Sequence, residues 1–259
     1  MKFRCERDLL VDALNIASKA VTNRGTLPVL HGLRLDLSSN ELVITGSDLD
    51  LTITVSVEVG GEKDGVTVVP AKLLADVVRA VEPGAVDITA EDTNLHVVAG
   101  RSEFSLRTIP KDEYPNFEEP TTSPVTVDGE DLVRALEQVT PAASSDDSRP
   151  ILTGVYMVAE KKGFRLVATD SYRLAVRDMP DASLLEGQPP ILVPSRALTE
   201  LARLIEPNDE VSLHLSDREA SFVVQNVRMT TRLIDGEFPD YQRLVPDSNP
   251  NKLTANRGE

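Results

Sequence analysis

The chain has 259 residues, of which 41% are hydrophobic and 27% are charged, a composition typical of a globular protein with room for two ordinary domains. Its 42 acidic residues outnumber its 27 basic ones, and the net charge of −15 excludes a protein that wraps nucleic acid in cations over its whole surface. No apolar run approaches the roughly 20 residues of a membrane span, and the single cysteine excludes an internal disulfide, so we expect a cytoplasmic protein without membrane association.

The first half of the chain predicts a helix, several strands and a second helix. Residues 6–21, ERDLLVDALNIASKAV, place apolar side chains on one helical stripe. Residues 51–59, LTITVSVEV, alternate apolar and polar side chains, the period of a half-buried strand. Residues 71–83, AKLLADVVRAVEP, predict a short amphipathic helix that stops at a proline, and AVDITA, LHVVAG and EFSLRTI follow as short strands. Short strands without regular helical crossovers favour antiparallel sheets, so the predicted fold class is α+β.

The second half of the chain repeats the first. Three blocks recur, namely 24–53 with 148–176, 66–83 with 190–207, and 104–117 with 229–242, and their paired prolines lie at offsets of 122 to 124 residues. The repeat predicts a first copy over residues 1–120 and a second over residues 121–249. We interpret residues 250–259 as the start of a truncated third copy, with a disordered polar tail as the alternative. Two helices cannot cover both faces of each sheet, so we expect the copies to sit edge to edge and continue one another's sheets.

The second helix of each copy carries two cations seven residues apart. Lys72 and Arg79 hold these places in the first copy, and Arg196 and Arg203 hold them in the second. Seven residues make nearly two helical turns, so the two cations of each helix share a face and lie about 10 Å apart along the axis. Both copies therefore aim two cations in the same direction.

Two interpretations of these cations are open. They form ordinary ion pairs on a solvated face, or they contact nucleic acid at a shared centre if the copies are related by rotation about an axis. In the second case Arg24 and Arg149, which precede the two proline blocks, are expected to add to the lining. The first interpretation predicts two pairs at i,i+4 spacing, Lys72–Asp76 and Arg196–Glu200.

The places where the copies differ indicate a surface for another protein. SDLDLT (47–52) corresponds to TDSYRL (169–174), and YPNFEEP (114–120) corresponds to FPDYQRLVP (238–246). Acidic positions of the first copy have become Tyr172, Arg173, Leu174, Arg243, Leu244 and Val245 in the second. Apolar and arginine side chains in place of carboxylates are typical of a protein interface, where a few anchors dominate binding. The alternative is that they pack against the missing third copy.

The sequence contains no pattern that predicts an enzyme, a metal site or a cofactor. His31, His96 and His214 are scattered on apparent strands, without a cysteine or carboxylate at metal-ligand spacing. Asp48 and Asp50 alternate onto one strand face, but the second copy keeps only Asp170 of this pair. There is no glycine-rich phosphate loop and no nucleophile elbow.

Across its whole length the chain resembles the beta subunit of bacterial DNA polymerase III, the sliding-clamp family. The resemblance rests on RGTLPVL and SRPILTG, on VVPAKLL and LVPSRAL, on VATDSYRLAV (167–176) and on FPDYQRLVP (238–246) in this order. It implies three copies of one domain per chain and a head-to-tail homodimer ring around duplex DNA, with helices lining the hole and sheets forming the outer wall. The implied function is a non-catalytic processivity factor in DNA replication, bound to DNA without regard to its sequence.

The resemblance also implies two sets of residues. The DNA-contacting set is Arg24, Lys72, Arg196, Arg203 and Arg149, to which the helical spacing above adds Arg79. The pocket for short linear peptides of the polymerase, the clamp loader and repair proteins is Leu152, Thr169, Tyr172, Arg173, Leu174, Pro239, Arg243 and Leu244. After Arg149 this chain has Pro150 and Ile151, where well-known relatives carry DNA-contacting aromatic residues.

Two expectations follow from the absence of a third domain, and one rival function remains open. A chain without the third domain is expected to bind partner peptides weakly at most, because that domain completes the pocket. It is also expected to be mostly monomeric, because the family interface joins the first domain of one subunit to the third of its partner. The rival function is a repeat-built peptide-binding adaptor that never contacts DNA.

Overall fold

The computed structural model describes residues 1–22, 27–91, 93–161, 163–180, 185, 187–245, 248 and 253–256. The α-helices in this part of the chain are α1 (Arg7–Ala17), α2 (Ala71–Ala80), α3 (Gly129–Val139) and α4 (Ser195–Leu204). The strands of the first copy are β1 (Lys2–Glu6), β2 (Gly32–Ser38), β3 (Glu41–Ser47), β4 (Leu51–Glu58), β5 (Gly60–Lys63), β6 (Gly65–Pro70), β7 (Ala85–Glu91), β8 (Asn94–Ala99) and β9 (Ser102–Arg107). Those of the second copy are β10 (Val125–Asp128), β11 (Gly154–Glu160), β12 (Gly163–Thr169), β13 (Leu174–Met179), β14 (Ile191–Pro194), β15 (Glu210–Leu215), β16 (Glu219–Val224) and β17 (Val227–Arg232).

The strands form three sheets, and every pairing between named strands is antiparallel. One sheet has the order β5-β1-β7-β8-β9 and another the order β13-β12-β11-β14. The third has eight strands in the order β10-β15-β16-β17-β4-β3-β2-β6, so it draws on both copies. The predicted α+β class with antiparallel sheets is confirmed.

The pairing of β4 with β17 joins the two copies. Its register runs over five residues, from Val227 opposite Val55 to Thr231 opposite Leu51. One buried apolar cluster extends through both copies, from Phe3 in β1 to Met229 in β17. The expectation that the copies continue one another's sheets is therefore confirmed. Because strand pairing and a shared core both cross the junction, the two copies form one packed body.

The helices pack in pairs, α1 against α2 and α3 against α4, and each first helix also covers a sheet. Helix α1 lies on β3 and β4, and α3 lies on β12 and β13. Helix α3 begins at Asp128, whose carboxylate accepts a hydrogen bond from the Asp131 backbone N–H at 2.9 Å. Prolines precede α2 and α4, where an N–H would lack an intrahelical partner in any case. None of the described helices is long and apolar enough to cross a bilayer.

Three sequence-based predictions of local structure need correction. The helices predicted over 71–83 and up to Pro207 end at Ala80 and Leu204, because the next residues, Val81 and Ile205, are extended. A proline disfavours helical geometry in the residue before it, so the chain leaves the helix ahead of that point. His31 ends a 3-10 turn (Pro28–His31) instead of lying on a strand. The fixed φ of Pro28 suits the first position of such a turn.

Candidate nucleic-acid interface and partner-binding surface

Helix α2 presents Lys72 and Arg79 on its exposed face. Leu74 points into the core, while the side chains of Lys72 and Arg79 are 85% and 55% exposed. The Lys72 ammonium lies 2.8 Å from the Asp76 carboxylate, which confirms the predicted i,i+4 pair. Arg79 lies 3.4 Å from the same carboxylate and donates a hydrogen bond to the Asn15 side-chain oxygen at 2.9 Å. The two cations therefore share one counter-ion.

Helix α4 presents Arg196 and Arg203 in the same way, but their partners differ from the prediction. Glu200 pairs with Arg203 at 2.6 Å, not with Arg196. Arg196 reaches into the first copy and donates to the Asp48 carboxylate at 2.7 Å. The predicted Arg196–Glu200 pair is wrong, because the joining of β4 and β17 brings the β3–β4 turn and its nearly buried Asp48 within reach of α4.

These ion pairs leave the cations available to another anion. Pairs of this exposed kind contribute about 0–1 kcal/mol, because water screens them and two side chains must be held in place. The hydrogen bond from Lys72 lowers the pKa of Asp76, so this carboxylate stays ionised at neutral pH. A phosphate that approached Lys72, Arg79 or Arg203 would replace weak contacts, whereas Arg196 is held more firmly because its partner Asp48 is nearly buried.

The structure describes one of the other two predicted DNA contacts, Arg149, but not Arg24. Arg24 lies outside the described residues. Arg149 pairs with Asp146 at 3.0 Å and donates to the Ser171 hydroxyl at 3.3 Å. Its side chain therefore joins the 3-10 turn (Pro150–Leu152) to the β12–β13 turn. This places Arg149 beside the predicted partner-peptide residues.

The β3–β4 and β12–β13 turns share one backbone shape. Leu49 and Ser171, at equivalent positions, have φ of 77° and 82°, a region that non-glycine residues rarely adopt. In each turn an aspartate, Asp48 or Asp170, accepts hydrogen bonds from the backbone N–H groups two and three residues further on. These bonds hold the strained turn. The turns differ in the arginine that forms an ion pair with the aspartate.

Asp170 forms an ion pair with an arginine of its own turn. The Arg173 guanidinium lies 2.9 Å from its carboxylate, whereas Asp48 receives Arg196 of the following copy. The backbone N–H of Tyr172, together with the side chain and backbone N–H of Arg173, lowers the pKa of Asp170 to about 2. On this turn Tyr172 is 95% exposed. A large, almost fully exposed tyrosine on a rigid turn is a suitable anchor for a partner.

The remaining predicted pocket residues on this side lie on the strands next to the turn. Thr169 ends β12, and its hydroxyl donates to the Arg173 carbonyl at 2.7 Å. Leu174 pairs with Thr169 across β12 and β13 and is half-buried. Leu152 is buried in its 3-10 turn. The structure therefore joins Thr169 to Leu174 by strand register and to Arg173 by a hydrogen bond.

The segment after β17 carries the other predicted pocket residues. Phe238 stacks on Tyr156 of β11 with ring centroids 5.0 Å apart, and Tyr241 meets the same ring edge-on at 6.4 Å. This packing fixes Pro239, which is half-buried, against the sheet. Arg243 pairs with Asp240 and is 86% exposed.

The pocket residue Leu244 ends the final 3-10 turn (Tyr241–Leu244), and its side chain lies outside what the structure describes.

Sequence reasoning missed the aromatic support of this segment. Tyr156, Phe238 and Tyr241 form the packing, and Arg165 pairs with Asp178 at 2.6 Å beside them. The hydrogen bond to Asp178 raises the pKa of Arg165 further, so its charge is permanent. The only signal was the place of Tyr156 in an alternating strand, and this does not specify a partner 82 residues away.

In the described ranges, no group of three or more histidine, cysteine, aspartate or glutamate side chains is arranged so that it could hold a metal ion. His96 lies in β8 and His214 in β15, and a His214 ring nitrogen lies 2.7 Å from the Thr122 carbonyl. That contact is a structural one, linking β15 to the connector between the copies.

Two family profiles match the chain. Residues 1–118 match the profile described as DNA polymerase III beta subunit, N-terminal domain, and residues 126–240 match the one described as its central domain. Among named relatives, the beta sliding clamp of Streptomyces coelicolor is 37% identical over 257 aligned positions, covering 95% of this chain and 67% of that protein. The beta sliding clamp of Staphylococcus epidermidis is 31% identical over 270 aligned positions, covering 100% of this chain and 71% of that protein.

Solved structures give the same result. The DNA polymerase sliding clamp from Bacillus subtilis superposes with a TM-score of 0.91 at 29% identity, covering 96% of this chain and 68% of that one. The sliding clamp from Bartonella birtlesii bound to griselimycin also has a TM-score of 0.91, at 32% identity, covering 96% and 69%. This chain thus spans about two thirds of the length of the clamps that it matches.

Proposed function

Because the chain belongs to the DNA polymerase III beta-subunit family, the bacterial sliding clamps, we propose that it surrounds duplex DNA and tethers the replicative polymerase to it. Members of the family are non-catalytic processivity factors in DNA replication. The observation that carries the proposal is the repeated placement of exposed cations on α2 and α4 in a protein of net charge −15. We further propose a cytoplasmic location and modules spanning residues 1–120 and 121–249.

Weak contacts suit such a function. A ring keeps its DNA by topology, so its inner surface needs contacts that break and re-form as the ring moves. Contacts to phosphates are independent of sequence and weaken steeply with salt. Lys72, Arg79 and Arg203 each have a carboxylate on the same helix within 3.4 Å. Exchange between that carboxylate and a passing phosphate costs little, and we propose that this exchange permits sliding.

The partner-binding surface is proposed to lie at the β12–β13 turn and the segment 238–244. Tyr172 is the exposed anchor, and within the described residues Arg173 and Arg243 form ion pairs only with carboxylates of their own turns. Short linear peptides of the polymerase, clamp loader and repair proteins are the proposed ligands. In the first copy the equivalent turn is engaged by α4 of the second copy, through Arg196 and Asp48. The second-copy turn has no such engagement among the described residues.

Head-to-tail association is supported by two edge strands. Strand β9 is one edge of the five-stranded sheet and is equivalent in the repeat to β17. Strand β13 is one edge of the four-stranded sheet and is equivalent to β4. Since β17 and β4 pair at the junction, β13 is proposed to accept a β17-like strand of a third copy, and β9 to accept a β4-like strand of the third copy of another subunit. The expectation that these 259 residues alone stay mostly monomeric remains a prediction, which light scattering at micromolar concentration tests.

Charge reversal tests the DNA contact directly. Glutamate in place of Lys72, Arg79, Arg196 and Arg203 should abolish binding to duplex DNA in a low-salt anisotropy assay. Each lost phosphate contact reduces the slope of log affinity against log salt by about 0.9, so the four together reduce it by roughly 3 to 4. Peptide binding at the Tyr172 turn should not change.

A matched control reverses four exposed cations outside these helices, Arg4, Arg101, Lys161 and Arg218. It has the same net charge as the helix variant. DNA affinity that drops equally in both variants would mean that only overall charge matters. Unchanged DNA behaviour in the helix variant, with peptide binding intact, would support the rival peptide-binding adaptor.

A further inference from the structure

A cavity of about 520 Å³ opens in the first copy beside the two cations of α2. One side is formed by the end of α1 and the 3-10 turn that follows it (Ser18–Ala20), and the other side is formed by α2. The polar and charged residues that line the cavity are Asn15, Ser18, His31, Lys72, Asp76 and Arg79.

Two of these residues each have a buried polar atom without a hydrogen-bond partner among the described residues. The atoms are the Nε2 nitrogen of His31 and the hydroxyl oxygen of Ser18. A buried polar group left unpaired costs about 1–3 kcal/mol, so its presence in a folded protein needs an explanation. A ligand oxygen between them would relieve this cost, because an imidazole N–H and a hydroxyl can both donate to it.

The ring of His31 can reach such a ligand. His31 is half-buried as a residue, and Leu73 at the rim of the cavity is 47% exposed. Rotation about the side-chain bonds of His31 therefore turns Nε2 towards the cavity without a change in the backbone.

The charge around the cavity favours an anion. Lys72 and Arg79 share the single carboxylate of Asp76, so one positive charge remains uncompensated. These three are the charged groups among the described lining residues, and all of them belong to α2. The side formed by α1 and the 3-10 turn contributes only uncharged residues.

His31 is the lining residue that can change its charge near neutral pH. An imidazole gains or loses its proton between about pH 5 and pH 8. The two cations of α2 disfavour the imidazolium, whereas a phosphate oxygen at Nε2 favours it. Asp76 stays ionised over this range, because the hydrogen bond from Lys72 lowers its pKa. An anion in the cavity is therefore expected to bind together with a proton.

The second copy satisfies the equivalent position by itself. With Pro28 opposite Pro150 in the repeat, His31 corresponds to Thr153. The Thr153 hydroxyl donates to the Pro150 carbonyl at 2.8 Å and so closes its own turn. The shared fold therefore does not require a histidine at position 31.

We propose that this cavity binds a backbone phosphate of duplex DNA, with His31 and Ser18 as hydrogen-bond donors, and that His31 takes up a proton when the DNA binds. This inference rests on the proposed function and adds to it two contacts and a dependence on pH. Because the protonated ring is the form that binds, DNA affinity falls as the pH rises through the neutral range.

Anisotropy titrations with duplex DNA in low salt, at about pH 6 and about pH 8, test the proposal. The wild-type affinity should be at least about three-fold higher at the lower pH, and His31→Gln should remove this difference. His96→Gln is the matched control and should keep the difference. His96 is also a half-buried histidine, but it lies in β8 and does not line the cavity.

Proton uptake supplies a second measurement. Calorimetry of DNA binding near about pH 6.5, in two buffers with different heats of ionisation, should show uptake of about half a proton per bound wild-type protein. The uptake should be smaller for His31→Gln and unchanged for His96→Gln. A purely structural role of His31 would not produce this difference.

Ser18→Ala separates a lost contact from a damaged fold. It should weaken DNA binding about three-fold at both pH values, because it removes one donor to the phosphate. The free energy of unfolding in urea should stay the same or rise slightly, because the substitution removes an unpaired buried hydroxyl.

The possible failures are distinguishable. Equal pH dependence in the wild type and His31→Gln, with DNA still bound, would overturn this inference and leave the proposed function standing. Absence of DNA binding by the wild type at either pH would overturn both. Saturable binding of inorganic phosphate that persists on the DNA-bound protein would assign the cavity to a free anion, and would also overturn the inference.

Discussion

The contact between Asp48 and Arg196 is predicted to couple the two copies energetically. Asp48 is only 7% exposed at its side chain and accepts the Arg196 guanidinium at 2.7 Å. Hydrogen bonds to charged groups contribute about 1.5–3 kcal/mol, and exposed pairs about 0–1 kcal/mol. With one buried partner and one exposed partner, we expect a coupling free energy of about 1.5 kcal/mol.

A double-mutant cycle in urea measures this coupling. Asp48→Asn keeps an acceptor for the two turn N–H groups but removes the charge, and Arg196→Gln removes the cation. The free energy of unfolding is compared among the wild type, both single variants and the double variant. The loss in the double variant should be smaller than the sum of the single losses.

The pair Arg203 and Glu200 serves as the control for this cycle. Both residues lie on α4, three positions apart, so their contact does not cross the junction. Its coupling should be about 0.5 kcal/mol or less, as for other helix surface pairs. A coupling between Asp48 and Arg196 no larger than this control value would refute the assignment of a junction role to Arg196.

Three further predictions concern single groups. Arg173→Gln should raise the pKa of Asp170 from about 2 in an NMR titration. The stability that the ionised carboxylate contributes should then be lost at a higher pH during acidification. An unchanged pKa of Asp170 would exclude the Arg173 contact. Tyr114→Phe removes the hydroxyl that donates to the Thr45 carbonyl at 3.0 Å and should cost about 1 kcal/mol in urea unfolding, with no loss expected if water replaced the bond. Burial raises the pKa of the Cys5 thiol to about 12, so a thiol reagent at pH 8 should label it only as fast as the chain unfolds, and rapid labelling of folded protein would contradict this burial.

The repeat carried most of what the sequence could predict about the fold. Equivalent blocks at nearly equal offsets specify equivalent elements, and the joining of the sheets was expected because each copy has too few helices to cover them. The structure shows that the strands which join them are β4 and β17. The helix ends were predicted too late because periodicity continues through Val81 and Ile205. Those residues are apolar and extended, so the pattern alone could not distinguish a last helical turn from the start of a loop.

Contacts distant in sequence could not be predicted. Asp48 and Arg196 lie 148 residues apart, and spacing on α4 favoured Glu200 as the partner. Only the three-dimensional junction shows that the β3–β4 turn is closer to Arg196. The same holds for Tyr156 and Phe238, whose stacking fixes a segment that the sequence identified only by its difference from the first copy and by the family resemblance.

The eight-stranded sheet has a mechanical consequence. A torque applied to one copy meets a continuous set of backbone hydrogen bonds across β4 and β17, with side chains interlocked beneath them. Such a joint transmits twist as elastic bending of the whole sheet, because it contains no swivel about which one half could turn freely. The two copies are therefore expected to turn together under load.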